Sequence, residues 1–96
     1  MKPRGRTLRR SVQIVNRKGL HARAAAKFAQ AASALKAEIT VTRGDTTVSG
    51  RSIMGLMMLA AACGTSIDIT AGGTNAAAAL DILGDLVAGG FGEGSA

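Results

Sequence analysis

Apolar residues in this chain change their spacing repeatedly, and that alternation limits the fold more than any other feature. Leu8, Val12, Ile14 and Val15 make an imperfectly alternating stretch over Thr7–Asn16, which suits a strand. Asn16-Arg17-Lys18-Gly19 then reads as a turn. Over Ala22–Leu35 the spacing becomes helical: Ala25, Phe28, Ala32 and Leu35 share a face within an alanine-rich segment, and alanine is the best helix former. Over Glu38–Arg43 a period of two returns, with Ile39 and Val41 alternating with Thr40 and Thr42. Gly44-Asp45 turns the chain into a short strand at Thr46–Ser49. Ser52, a favoured N-cap, opens a short helix to about Leu59. Ser66–Ala71 is again strand-like, with Ile67 and Ile69 alternating with Asp68 and Thr70, and Gly72-Gly73 is expected to end it. Thr74 or Asn75 caps a last helix to about Val87, with Ala76, Leu80, Leu83 and Val87 along one stripe.

The order strand-helix-strand-strand-helix-strand-helix predicts an α+β domain whose antiparallel sheet carries helices on one face. A ferredoxin-like domain begins with the same six elements, so spacing leaves the strand order open. The length, 96 residues, suits one domain and is too short for two independent cores. With two phenylalanines and no Trp or Tyr, the core must be built from Ala, Leu, Ile, Val and Met. One cysteine and one histidine exclude an intramolecular disulfide framework and a zinc-finger ligand set. No apolar run reaches the ~18–20 residues that span a bilayer, and no hydrophobic region follows the basic start as in a secretory signal. A cytoplasmic location, with no membrane insertion, is the expectation.

The formal net charge of +6 divides unevenly. Residues 1–18 carry seven cations (Lys2, Arg4, Arg6, Arg9, Arg10, Arg17, Lys18) and no acid, leaving five cations against six acids in the remaining 78. The body is therefore nearly neutral. Residues 1–6 read as a flexible basic arm, 7–88 as the folded domain and 89–96 as a glycine-rich tail expected to fray. A basic arm can contact nucleic acid, and a small basic α+β nucleic-acid-binding domain is the alternative reading. An RNA-binding sheet stacks bases on exposed aromatics, and no aromatic residue falls in an expected strand.

His21, the only histidine, stands where Ser, Thr, Asp or Asn usually caps a helix. The unpaired N–H groups and dipole of a helix N-terminus disfavour an imidazolium and favour an anion. A histidine there is expected to stay neutral and nucleophilic, and an anion attached to it would be stabilised. Arg23, two residues on, could hold phosphate oxygens. Against this stands a surface histidine that only caps its helix. Cys63, in an apolar AAACG setting, reads as an ordinary core or loop residue. The glycines match neither the P-loop nor the dinucleotide fingerprint, and neither a cofactor nor a metal is called for. In Ser52–Leu59 nearly every residue is apolar, so Leu56 and Leu59 are expected in the core. Ile53, Met54 and Met57 then remain at least partly exposed, a candidate docking patch.

Three segments, GLHARAAAKF (Gly19–Phe28), EITV (Glu38–Val41) and SGRSIMGLMMLAA (Ser49–Ala61), resemble the histidine-containing phosphocarrier family HPr of the bacterial phosphotransferase system. The likeness runs from about Thr7 to Val87. It implies an open-faced β-sandwich, a four-stranded antiparallel sheet covered on one face by three helices, rather than the ferredoxin-like order. It implies a carrier without turnover of its own, in which His21 accepts a phosphoryl group on Nδ1 from enzyme I, as a pros-phosphohistidine. His21 then passes the group to an enzyme IIA. By the same resemblance Arg23 assists the transferring group, and Ser52 matches the serine that HPr kinase/phosphorylase modifies in some bacteria. Ile53, Met54 and Met57 match the family's docking surface, and a carrier visiting several partners is most simply a monomer. Phosphate on Ser52 would sit at a helix N-terminus and place negative charge in the docking patch. Two features depart from the family's pattern. Ala24 replaces the usual proline of GLHxRPA, which stiffens a first turn; this small residue and the MMLAA run resemble nitrogen-related and alphaproteobacterial members. The extended basic arm has no counterpart in the likeness.

Overall fold

The computed structural model describes residues 6–93. Its strands are β1 (Arg6–Gln13), β2 (Glu38–Arg43), β3 (Thr46–Ser49) and β4 (Ser66–Gly73); its helices are α1 (Ala22–Ser33), α2 (Ile53–Met58) and α3 (Ala76–Ala88). Strand order is β1-β4-β2-β3 with every pairing antiparallel. The last long strand is thus inserted between the first and second. Alternation decides which face is covered: Ile39, Val41, Ile67, Ile69 and Ala71 are buried, while Thr40, Thr42, Asp68 and Thr70 keep partial access to solvent. Phe28 of α1, Leu56 of α2 and Leu83 and Val87 of α3 close over that apolar face. Small side chains let the layers approach, since Ala24, Ala25, Ala32 and Ala79 are all fully buried.

The expected elements are present, but β1 begins at Arg6, inside the expected arm, α1 ends at Ser33 rather than Leu35, and there are three further differences. β1 ends at Gln13 rather than Asn16, because Ile14 turns its backbone to a loop: its N–H donates to Thr65 O (2.8 Å) and its carbonyl accepts from Gly64 N (2.8 Å). Gly72-Gly73 does not end β4. Gly72 is paired with Thr7 on one side and Glu38 on the other, and two flanking strands outweigh the weak strand preference of glycine. The tail expected to fray folds instead as far as Glu93. Gly90–Gly92 form a 3₁₀ turn, and Phe91 is buried in the core. The leading arm lies outside the described residues up to residue 5.

Two tethers orient the layers around the site. Gly84, in mid-helix, leaves room for the Arg10 guanidinium, which donates to Leu80 O at 3.3 Å and faces Asp85 at 3.6 Å. Arg51 donates to the carbonyls of Leu35 (3.1 Å) and Ala37 (2.9 Å), tying the chain before α2 to the end of α1.

Candidate functional site: the open start of helix α1

The site begins with a turn that only glycine can make. Gly19 has φ +66°, and a Cβ there would strike the Ala61 carbonyl oxygen. That carbonyl accepts the Leu20 N–H at 2.9 Å, and Leu20 is buried. The backbone then doubles back: His21 N donates to Gly19 O at 2.9 Å, and His21 enters α1 as an extended N-cap. Its side chain makes no cap hydrogen bond, and the first turn holds no acid. The earliest helix N–H with an intrahelical acceptor is that of Ala25, which donates to His21 O at 2.8 Å. The amides of Ala22, Arg23 and Ala24 have no such acceptor, the condition under which a helix start attracts an anion. Ala24 is buried beneath this turn, while Arg23 is exposed and forms no ion pair among the described residues.

The His21 ring is one-quarter exposed, and its Nε2 lies 2.6 Å from Glu93 Oε2. Its Nδ1 has no hydrogen-bond partner among the described residues. The other Glu93 oxygen accepts from Asn16 Nδ2 at 3.0 Å; the same Nδ2 group donates to Gly19 O at 2.8 Å. The Asn16 amide and then the His21 ring hold the Glu93 carboxyl below the usual carboxylate range. A carboxylate can only accept, so the bridging proton belongs to Nε2. Asn16 is fully buried with Oδ1 unpartnered. Turning the amide over would set that oxygen against two acceptors, so one orphan acceptor is the lesser cost.

Neither Asn16 nor Glu93 stood out in the sequence, where one reads as a turn residue and the other as part of a tail. A signal was present in Phe91: one of only two aromatic residues in the chain has a strong reason to leave water.

Ser52 is the N-cap of α2, its Oγ accepting from Gly55 N at 2.9 Å. Leu56 and Leu59 are buried as expected, and Ile53, Met54 and Met57 are exposed. Met58, 73% exposed, completes an apolar patch with them; it lies four residues after Met54, on the same helical face. Cys63 is an exposed loop residue whose thiol points at Val15 O. Among the described residues no cluster of three metal-ligating side chains occurs, and no helix is long and apolar enough to cross a membrane.

Three helices on one face of a four-stranded antiparallel sheet, with a histidine at an open helix start, define a small α+β protein. The family described as "PTS HPr component phosphorylation site" matches residues 8–89. Phosphocarrier protein HPr of Neisseria meningitidis serogroup A is 54% identical over 87 residues, covering 91% of this chain and 98% of that protein. Phosphocarrier protein NPr of Shewanella violacea is 46% identical over 88 residues, covering 92% and 97%. The crystal structure of HPr-C-His from Thermoanaerobacter tengcongensis superposes with a TM-score of 0.85 at 37% identity, covering 90% of this chain and 97% of that one. The chain belongs to the HPr family of the phosphotransferase system. It is a phosphocarrier, not a catalyst, and nothing supports the nucleic-acid-binding alternative.

Proposed function

We propose that the carried phosphoryl group resides on Nδ1 of His21, received from enzyme I and passed to an enzyme IIA in the cytoplasm. The observation that carries this reading is the His21 ring itself: it stands at an uncapped helix start with Nε2 engaged and Nδ1 free. Neutral imidazole attacks through the unprotonated nitrogen. The open amides of α1 and the Arg23 guanidinium are suited to the phosphoryl oxygens. Such a site needs no cavity or metal, because phosphoryl transfer relies on positioning and charge stabilisation that a partner can share.

The patch of Ile53, Met54, Met57 and Met58 supports docking of these partners, and Ser52 beside it is the candidate for phosphorylation by an HPr kinase/phosphorylase. Methionine-rich surfaces repack against several partners, which suits a monomer that visits each in turn. Ile53→Glu or Met54→Glu should weaken enzyme I binding about tenfold or more, since a desolvated charge in an apolar contact is costly. Both variants should melt like the wild type; loss of folding would show these residues to be core.

The small Ala24 side chain and the MMLAA run support a nitrogen-related regulatory relay over bulk sugar uptake; the relatives' names divide, with HPr at 54% identity and NPr at 46%. The direct test of the carrier site is intact mass after incubation with enzyme I and phosphoenolpyruvate, with and without brief acid treatment. One acid-labile phosphate mapping to His21 is the expected result. No mass gain with an active cognate enzyme I refutes the assignment.

A further inference from the structure

We propose that Met54, Met57 and Met58 form an oxidation site: a hydroperoxide converts their thioethers to sulfoxides, which makes the apolar face of α2 polar and reversibly withdraws the carrier from its protein partners. The inference rests on that face as the docking surface and adds its regulation.

Three of the chain's four methionines fall within the six residues of α2. Met54 is 74% exposed, Met58 73% and Met57 43%, so an oxidant in solution reaches all three. Met57 and Met58 follow Met54 by three and four residues, the spacing that gathers side chains on one helical face, and with Ile53 they line one apolar hollow. The fold does not depend on them. Leu56 and Leu59 carry this segment into the core, Ser52 caps the helix start, and the Arg43 guanidinium donates to Leu59 O at 3.1 Å at its end. Oxidation replaces a flexible apolar side chain by a polar, chiral one. On the free surface water solvates the new oxygen, whereas a contact that excludes water leaves it without a partner. The modification therefore opposes the complex and leaves the free carrier folded. His21 and the open amides stand on another helix, α1, and this chemistry does not alter them.

In the forward step a sulfur lone pair attacks the terminal oxygen of the hydroperoxide, forming the S–O bond as the O–O bond breaks. The departing oxygen keeps the electron pair of that bond and takes the proton from the transferred hydroxyl, leaving as water or an alcohol. Sulfur is oxidised by two electrons and the peroxide is reduced by two. Reversal needs a dithiol: its two electrons release the sulfoxide oxygen as water while the dithiol closes to a disulfide. The methionine sulfoxide reductases catalyse this return, one enzyme for each sulfoxide epimer. Net charge is the same before and after, so the switch acts through polarity alone.

The test oxidises the full chain with hydrogen peroxide and removes the peroxide with catalase before enzyme I is added. A Cys63→Ser background keeps the exposed thiol out of the reaction. Peptide mass mapping should place oxygen on Met54 and Met58 sooner than on Met57, in the order of their exposure. The oxidised carrier should bind enzyme I about tenfold more weakly, with the KM for the carrier raised by a similar factor and kcat unchanged. Both reductases with a dithiol should restore the affinity, and the melting temperature should stay near that of the unoxidised protein. The triple variant Met54→Leu, Met57→Leu, Met58→Leu keeps the face apolar and should bind enzyme I before and after peroxide alike. Weakened binding of that variant after peroxide places the effect at another residue and overturns the proposal. Unchanged affinity in a carrier oxidised at all three sulfurs overturns it too, as does unfolding on oxidation. If the triple variant does not fold, the KM and kcat of the oxidised carrier decide alone. Wild-type affinity in Met54→Glu defeats the docking reading itself, a different result from sulfoxides that leave affinity intact while Met54→Glu weakens it.

Discussion

Helices α1 and α2 begin in opposite ways. At α2 the Ser52 hydroxyl accepts the Gly55 N–H, and the helix start is satisfied by its own cap. At α1 the cap position holds His21, which leaves the first amides open. A missing cap bond alone does not make a site, because Asn75 also leaves α3 without one. What distinguishes α1 is the Glu93 carboxylate held on its cap residue from 72 residues downstream, with Arg23 just inside the helix. One helix start uses its capping position for stability, and the other leaves that position to a histidine that does not cap.

His21→Ala should have the largest effect: complete loss of acid-labile phosphate, by intact mass, from a domain that still melts cooperatively. Survival of the fold is expected because the ring makes no cap bond; loss of folding would make His21 structural and erase the contrast. Arg23→Ala should slow acceptance by about tenfold in single-turnover kinetics, the weight of one or two charge-assisted hydrogen bonds to phosphate. Wild-type kinetics in that variant would leave the open amides as the only electrostatic help. Ser52→Ala should show the reverse profile, losing about 1 kcal/mol of stability in denaturant unfolding through the missing cap. A neutral result would mean that burial of Leu56 alone holds the short helix.

Acid should produce the smallest effect. The Glu93 carboxyl is held low by Asn16 and His21, and the Asp68 carboxyl by hydrogen bonds from Arg9 and Ser11. The folded chain therefore binds fewer protons than the unfolded chain in this range, and stability rises with pH. Their contribution is complete above the ordinary carboxylate pKa and is lost as pH falls through the lowered values. Melting temperature against pH should show this decline, and Asp68→Asn should flatten part of it. An unchanged acid slope in that variant would remove the β1–β4 ion pair from the account.

Most of the architecture was legible because its signals are local. Ile39 and Val41, or Ile67 and Ile69, alternate whatever they pair with, and Ala25, Phe28 and Ala32 share a helical face in any fold. His21 and Arg23 were legible for the same reason, each being placed by the helix start between them. Met58 was missed because nearly every residue of this short helix is apolar, and only the assembled layers show that burial stops at Leu56 and Leu59. β4 was read too short at Gly72 because glycine's strand preference is weak alone, and pairing on both edges appears only in the assembled sheet.

From its sequence alone, the chain determined its α+β class, its helix and strand positions, and a histidine with an arginine at the start of α1. Spacing and capping act within a few residues, and that range is enough. Tertiary structure decided the β1-β4-β2-β3 order, the burial of Phe91 and the meeting of His21 with Asn16 and Glu93. Those depend on where the core has room for an aromatic ring, and a tail rich in glycine has no local preference that could announce it.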